Sequence, residues 1–262
     1  MTGVTCGKGH HGDMRSLYVV SDVHGYRDDL ARGLGEVGLV DAEGRWAGAD
    51  DELWVLGDLL DRGPDGIGAL DLVMSLQQQA PSQVHVLMGN HEVLALGRHR
   101  FPRSRFAESW RINGGRTRDQ EALTPGHLSW LASLPVMARV GDYLLVHSDT
   151  TRYLRWGSHV DEVNAAVRAA LADERDLAAH WELWAGLTGR YAFTADGGTA
   201  AARMMLARYG GEVVVHGHSV IASLTGTASH EVDRPLLYAD RLALDIDGGR
   251  YDGGPLLVVR LA

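Results

Sequence analysis

A single cysteine, Cys6, is the whole thiol content of the 262-residue chain. It excludes an intramolecular disulfide and fits a reducing compartment. Long apolar runs are missing as well, and no stretch approaches the ~20 residues that a membrane helix needs. The opening segment MTGVTCGKGHHGDMRS has no apolar signal core, which argues against secretion. Together these absences predict a cytoplasmic protein with no membrane partner. A basic excess is also lacking: 25 Lys and Arg face 34 Asp and Glu, for a formal net charge of −9. Non-specific binding to duplex nucleic acid leaves a basic footprint, so no nucleic-acid partner is expected. No solenoid repeat and no low-complexity tract interrupts the chain.

What is present suffices for one core. Hydrophobic residues make up 45% of the chain, and one mixed α/β domain of this length is ordinary. We read residues 1–15 as a flexible arm and 16–262 as a single domain. Helical insertions are expected at about 93–135 and 158–208. His10 and His11 fall in the arm and are assigned no role.

The dominant pattern is an apolar, strand-like run followed by a tight loop of Asp, His, Asn and Gly. It occurs as LYVV–SDVHG (Leu17 to Gly25), LWVL–GDLLDRGP (Leu53 to Pro64) and VHVLM–GNHE (Val84 to Glu92). Two later runs end the same way, YLLV–H at His147 and VVV–HGH at His218. Helices are predicted over Tyr26 to Gly38 and Asp65 to Ala80 from apolar spacing, with Gly38 and Pro81 as stops. Asp22 and Asp58 are 36 residues apart, and Asp58 and Asn90 are 32 apart. That length suits a βαβ crossover, so the first three strands are expected to be parallel. Loops at the carboxyl ends of such strands form the ligand crevice. The tail segments SLTGTA, PLLYA, LALDIDGG and GGPLLVVRL read as antiparallel strands finishing a second sheet.

These loops carry hard ligands. Asp22 and His24 sit on one loop and could face one ion. Asp58 has two carboxylate oxygens and could bridge two. Asn90 offers a carbonyl oxygen, and His147 and His218 offer imidazoles. Mixed O/N sets suit Mn²⁺, Fe or Zn²⁺. Two such ions could clamp a phosphoryl group and bring a water's pKa towards neutrality. Arg62, on the Asp58 loop, matches phosphate geometry. His91 follows Asn90 and could protonate a leaving oxygen, with Asp61 as its partner.

The motifs D-x-H-G (Asp22 to Gly25), G-D-x-x-D-R-G (Gly57 to Gly63), G-N-H-E (Gly89 to Glu92), V-H (His147) and G-H (His218) resemble those of the calcineurin-like metallophosphoesterases. The unbroken GDLLDRG and GNHE resemble the serine/threonine phosphoprotein phosphatase branch, with its bacterial members and the related diadenosine tetraphosphatases. The resemblance implies an α/β fold, a two-sheet sandwich flanked by helices. It implies one metal held by Asp22, His24 and Asp58 and a second held by Asp58, Asn90, His147 and His218. Arg62 would bind phosphate, His91 would be the acid and Asp61 its partner. The substrate class it implies is a phosphorylated protein or a small phosphoester, hydrolysed through a metal-activated water. Dinucleoside tetraphosphates are the alternative, and an inactive phosphosite-binding module is a third reading that the complete ligand set disfavours.

Two departures stand out. The run after His147 is Ser148-Asp149-Thr150 where the family commonly has small residues, so Asp149 adds charge near the site. Val220 stands where broader relatives carry a second histidine, which fits the phosphoprotein phosphatase branch. Strand alternation would point His216 and His218 to the same side; His218 is preferred because it follows Gly217. Arg190 either reaches the phosphate from the second insertion or lies on the surface, and Arg116 has the same two readings. His85 is expected to pack in its strand. His99, His127, His159, His180 and His230 are expected at the surface or in turns. Trp110, Trp130, Trp181 and Trp184 are expected in the cores of the insertions.

Overall fold

The computed structural model describes residues 15–194 and 196–262; the expected flexible arm lies outside the described residues except for Arg15. The first half follows the predicted alternation: β1 (Leu17–Val20), α1 (Arg27–Glu36), β2 (Glu52–Val55), α2 (Gly66–Gln79), β3 (Val84–Val86) and α3 (Asn90–Arg100). The β1–β2 and β2–β3 pairings are parallel, as the crossover lengths predict. α1 ends where Gly38 takes a left-handed φ of 78°. Asp65 caps α2 by accepting the N–H of Gly68. One boundary differs from expectation: Asn90, His91 and Glu92 form the first turn of α3 rather than a loop. Glu92 reaches back to the Gly89 N–H and so starts the helix three residues early.

The first insertion carries α4 (Arg105–Ile112), α5 (Thr117–Ala122) and α6 (Pro125–Ser133). The hairpin β4 (Met137–Val140) and β5 (Tyr143–Val146) follows, then α7 (Val160–Ala172), α8 (Leu177–Leu187) and α9 (Gly198–Tyr209). The chain closes with β6 (Val213–His216), α10 (Ile221–Thr225), β7 (Leu236–Tyr238), β8 (Ala243–Asp245) and β9 (Val259–Arg260).

The strands form two mixed sheets, ordered β3-β2-β1-β9 and β4-β5-β6-β8-β7. Val19, Leu56 and Leu87 from the first meet Ala138, Leu145, Val215 and Ile246 from the second in one apolar layer. The outer face of the first sheet (Tyr18, Val20, Leu53, Val55) packs with Leu30 and Leu34 of α1 and Leu70, Val73 and Leu76 of α2. The outer face of the second (Leu144, Val146, Val214) packs with Val163 and Val167 of α7 and Met205 and Leu206 of α9. With both faces covered, β1 is buried along its whole length, and each such aliphatic side chain contributes roughly 1.5–3 kcal/mol.

The tail corrects two expectations. The SLTGTA segment is not a strand, since Ile221–Thr225 is a short helix ended by Gly226 in the left-handed region. β9 does not join the second sheet but pairs antiparallel with β1 in the first. β7 and β8 do form an antiparallel pair in the second sheet. No described helix is long and apolar enough to cross a membrane.

Candidate metal centre

The loops after β1, β2, β5 and β6 and the first turn of α3 converge at the carboxyl ends of the strands. Eleven described non-glycine residues take a positive φ, and six of them are Asp22, His24, Asp58, Asp61, Arg62 and His218. Left-handed backbone costs such residues on the order of 1–3 kcal/mol each and survives only where surroundings over-determine it. Here the loops hold one another. Asp22 N donates to Gly57 O (3.1 Å), His24 N to Asp58 O (2.8 Å) and Gly25 N to Leu59 O (2.8 Å). Glu92, fully buried, accepts the N–H groups of Asp58, Leu59 and Gly89, each at 2.8 Å. Gly57 permits the second and third loops to cross, because a Cβ there would lie 2.4 Å from Gly89 N.

Asp22, Asp58, His147 and His218 form one group of facing ligand atoms, and His24, Asp58 and His91 another, with Asp58 in both. His24 Nδ1 donates to the Leu60 carbonyl (3.0 Å), so Nε2 presents its lone pair. That nitrogen is buried without a hydrogen-bond partner. It faces Asp22 Oδ1 at 3.7 Å and Asp58 Oδ2 at 3.6 Å. His147 repeats the arrangement. Its Nδ1 donates to Leu56 O (2.8 Å), and its Nε2 faces Asn90 Oδ1 at 3.0 Å and Asp58 Oδ1 at 3.4 Å. His218 Nε2 lies 3.2 Å from the Thr188 carbonyl and 3.1 Å from Arg190 Nε; with its proton on Nε2 and donated to Thr188, the ring offers the Nδ1 lone pair to the cluster. Lone pairs facing carboxylate oxygens repel one another unless a cation lies between them. Burial, and then the Asp22 charge, push the Asp58 carboxyl well above its ordinary range. Burial holds His24 well below its ordinary value, in the neutral form a metal requires. The donor set therefore fits divalent ions that take mixed oxygen and nitrogen ligands.

A second constellation adjoins it. His91 Nδ1 meets Asp61 Oδ2 at 2.7 Å, and Asp61 Oδ1 accepts Trp110 Nε1–H at 3.1 Å. Burial pushes the Asp61 carboxyl up to about 7, against the opposing pull of the Trp110 hydrogen bond. Burial, and then the Arg62 charge, keep His91 well below its ordinary value. Arg62 Nη2 lies 3.2 Å from His91 Nε2, and its guanidinium sits 3.9 Å over the Tyr251 ring. The first insertion fixes this loop: Arg62 N donates to Gly114 O (2.8 Å), and Arg116 donates to Arg62 O.

The structure thus brings Asp22, His24, Asp58, Asp61, Arg62, Asn90, His91, His147, Arg190 and His218 to one place. Arg116 instead braces the Arg62 backbone. The alternation expected of His216 and His218 fails because β6 ends at His216 and His218 turns left-handed. His216 is bonded to Gly217 O and Tyr238 OH, each at 2.8 Å. Of the histidines expected at the surface, His99, His159 and His230 are exposed, but His180 and His127 are buried. His180 is gripped by Arg100 (2.6 Å) and His127 by Asp71 (3.0 Å). His85 stacks on Trp54. Trp110, Trp181 and Trp184 gather with Leu94 and Phe106 in an apolar cluster. Tyr251, Asp247 and the Trp110–Asp61 contact were not anticipated. Asp247 is buried and has one oxygen without a partner; the acid repeat in LDIDGG is the one signal the sequence offered.

The fold and the ligand loops are those of the metallophosphoesterase class. The profile of the calcineurin-like phosphoesterase family matches residues 15–222, and the chain belongs to that family. It is 30% identical over 133 residues to a symmetrical bis(5'-nucleosyl)-tetraphosphatase of Vibrio parahaemolyticus, covering 51% of this chain and 44% of that protein. It is also 30% identical over 159 residues to serine/threonine-protein phosphatase 1 of Salmonella typhimurium, covering 56% of this chain and 65% of that protein. The chain thus spans less than two thirds of the length of these curated relatives. A cold-active protein-tyrosine phosphatase of a psychrophilic Shewanella shares the fold, with a TM-score of 0.71 at 24% identity, covering 95% of this chain and 75% of that one.

Proposed function

We propose that this protein hydrolyses phosphomonoesters with two divalent metal ions, Mn²⁺ foremost, and that phosphorylated protein side chains are its substrates. The observation that carries this reading is the placement of Asp58, whose Oδ2 faces His24 and whose Oδ1 faces His147. One ion would be held by Asp22, His24 and Asp58, and the other by Asp58, Asn90, His147 and His218. Bound there, the pair would supply Lewis-acid stabilisation of phosphoryl oxygens and would acidify a water.

The chain's own groups would bind substrate and move a proton. Arg62 would grip two phosphoryl oxygens, and Arg190 a further one. In the free protein the Arg62 guanidinium leans on His91 Nε2 and disfavours a proton there. A phosphate dianion would draw Arg62 away and offset its charge, so Nε2 would gain basicity as substrate arrives. Asp61, fixed by Trp110, would hold the His91 ring and stabilise its protonated form while Nε2 hands a proton to the leaving oxygen.

Hydrolysis of dinucleoside tetraphosphates is the second reading, supported by the likeness to the Vibrio tetraphosphatase. Rates with Mn²⁺ on p-nitrophenyl phosphate, phosphoserine and phosphotyrosine peptides, and diadenosine tetraphosphate test both. Peptide rates above dinucleotide rates are expected. The reverse ranking would install the second reading, and no Mn²⁺-stimulated rate on any substrate would remove both.

A further inference from the structure

Asp149 follows the candidate ligand His147 by two residues, yet it faces none of the paired ligand groups. It is fully buried, and both its oxygens accept. Oδ1 takes the Ser219 hydroxyl at 2.6 Å, and Oδ2 takes the Tyr191 N–H at 2.7 Å. Its main-chain carbonyl accepts the Ala192 N–H at 3.0 Å. Ser219 neighbours His218, and Tyr191 neighbours Arg190. The two neighbours touch: Arg190 Nε lies 3.1 Å from His218 Nε2. A closed ring of contacts therefore runs from Asp149 through Ser219 and His218 to Arg190 and Tyr191 and back.

The turn that presents Arg190 depends on this ring. Leu187 and Phe193 are buried and anchor the segment at its ends. Between them, the N–H groups of Tyr191 and Ala192 both go to Asp149. The Tyr191 side chain is 40% exposed and gives the turn little packing, while its backbone is left-handed at φ 66°, a conformation L residues rarely adopt. On the other side Gly189 presses against Thr150, where an added Cβ would meet the hydroxyl oxygen at 2.7 Å. Apart from Nε, the Arg190 guanidinium has no hydrogen-bond partner among the described residues, so its terminal N–H groups are free for a ligand.

We propose that Asp149 is a positioning residue that sets Arg190 over the phosphoryl site, and so tunes phosphate affinity without touching substrate. The inference rests on the reading of the pocket as a phosphoryl site. A carboxylate that touched substrate would repel a phosphate dianion; one spent on a hydroxyl and an amide acts through the cation it places.

The test is a double-mutant cycle with two readouts: KM and kcat on a phosphomonoester, and Kd for orthophosphate by calorimetry in the presence of Mn²⁺. Arg190→Ala should raise KM and the orthophosphate Kd about tenfold or more, with a smaller change in kcat. Asp149→Asn keeps the volume but loses an acceptor, and should reproduce most of that shift. The double variant should bind phosphate no worse than Arg190→Ala alone. Losses that multiply, or a Kd unmoved by Arg190→Ala, would overturn the proposal. Gly189→Ala displaces the same turn from outside and must also raise KM selectively, even should Asp149→Asn fail to fold; an unchanged KM there counts against the idea. A wild type inert towards every phosphoester would remove the phosphatase reading instead, while the orthophosphate Kd values would still decide the Asp149–Arg190 relation.

Discussion

The Glu92 carboxylate accepts the Asp58 backbone N–H at 2.8 Å, so a residue on the first turn of α3 fixes the loop that follows β2. The same oxygen takes the Gly89 N–H, and the other takes that of Leu59. Three buried donors depend on one side chain. Glu92→Gln places an amide donor against some of these N–H groups and should cost about 2 kcal/mol. For a chain of this size that lowers Tm by roughly 4–8 °C. Thermal unfolding at fixed Mn²⁺ reads it; an unchanged Tm would mean the loops are held elsewhere.

Asp58 faces both histidine groups, so Asp58→Asn should reduce Mn²⁺ bound per chain, measured by equilibrium dialysis and elemental analysis, from two towards one. Activity should fall by orders of magnitude. A variant that keeps both ions and near-normal turnover contradicts a bridging role.

His91→Ala removes the proposed proton donor, an effect of about 10²–10⁴-fold in such sites. The loss should be greater on phosphoserine esters, whose alkoxide needs a proton, than on p-nitrophenyl phosphate, whose phenolate leaves without one. Trp110→Phe keeps an aromatic ring in the apolar cluster while deleting the bond to Asp61 Oδ1, and should show the same substrate bias in milder form. Equal losses on both substrates would argue that His91 serves binding alone.

His180, far from the ligand loops in sequence, gives a pH prediction. Burial, with the Arg100 charge opposing protonation further, holds it below its usual 6.5. As pH falls through 6.5 the unfolded imidazole takes a proton that the folded one refuses, so this residue's contribution to stability declines on acidification. His180→Gln lacks that dependence. The stability difference between wild type and variant, from urea midpoints, should therefore shift in the variant's favour between pH 7.5 and 5.5. A constant difference would show that the folded imidazole titrates normally.

The ligand loops were legible because each packs its chemistry into a few consecutive residues behind an apolar strand. Asp22, His24, Asp58, Asn90, His91, His147 and His218 could all be named before their distances were known. What escaped depends on contacts between remote segments. Nothing around Trp110 signals that its indole reaches Asp61, 49 residues earlier. Tyr251 meets Arg62 only because the tail folds back. β9 joins the first sheet although the tail reads as finishing the second, because an apolar run can pair with either edge and the choice rests on which edge is open. His180 looked like a surface residue because its partner, Arg100, lies 80 positions away. The role of Asp149 was invisible for the same reason, although its oddness after His147 was plain.

The pairing of β9 with β1 has a consequence for biosynthesis. Leu17 N donates to Ala262 O at 3.0 Å, and Leu261 N to Leu17 O at 2.8 Å. Tyr18 of the strand that delivers Asp22 and His24 pairs with Arg260, so one flank of that strand stays bare until a segment 242 residues further along the chain has been made. Until β9 is made and docked, the edge beside the first ligand loop stays open, which exposes an apolar strand to chaperones over most of the domain's synthesis.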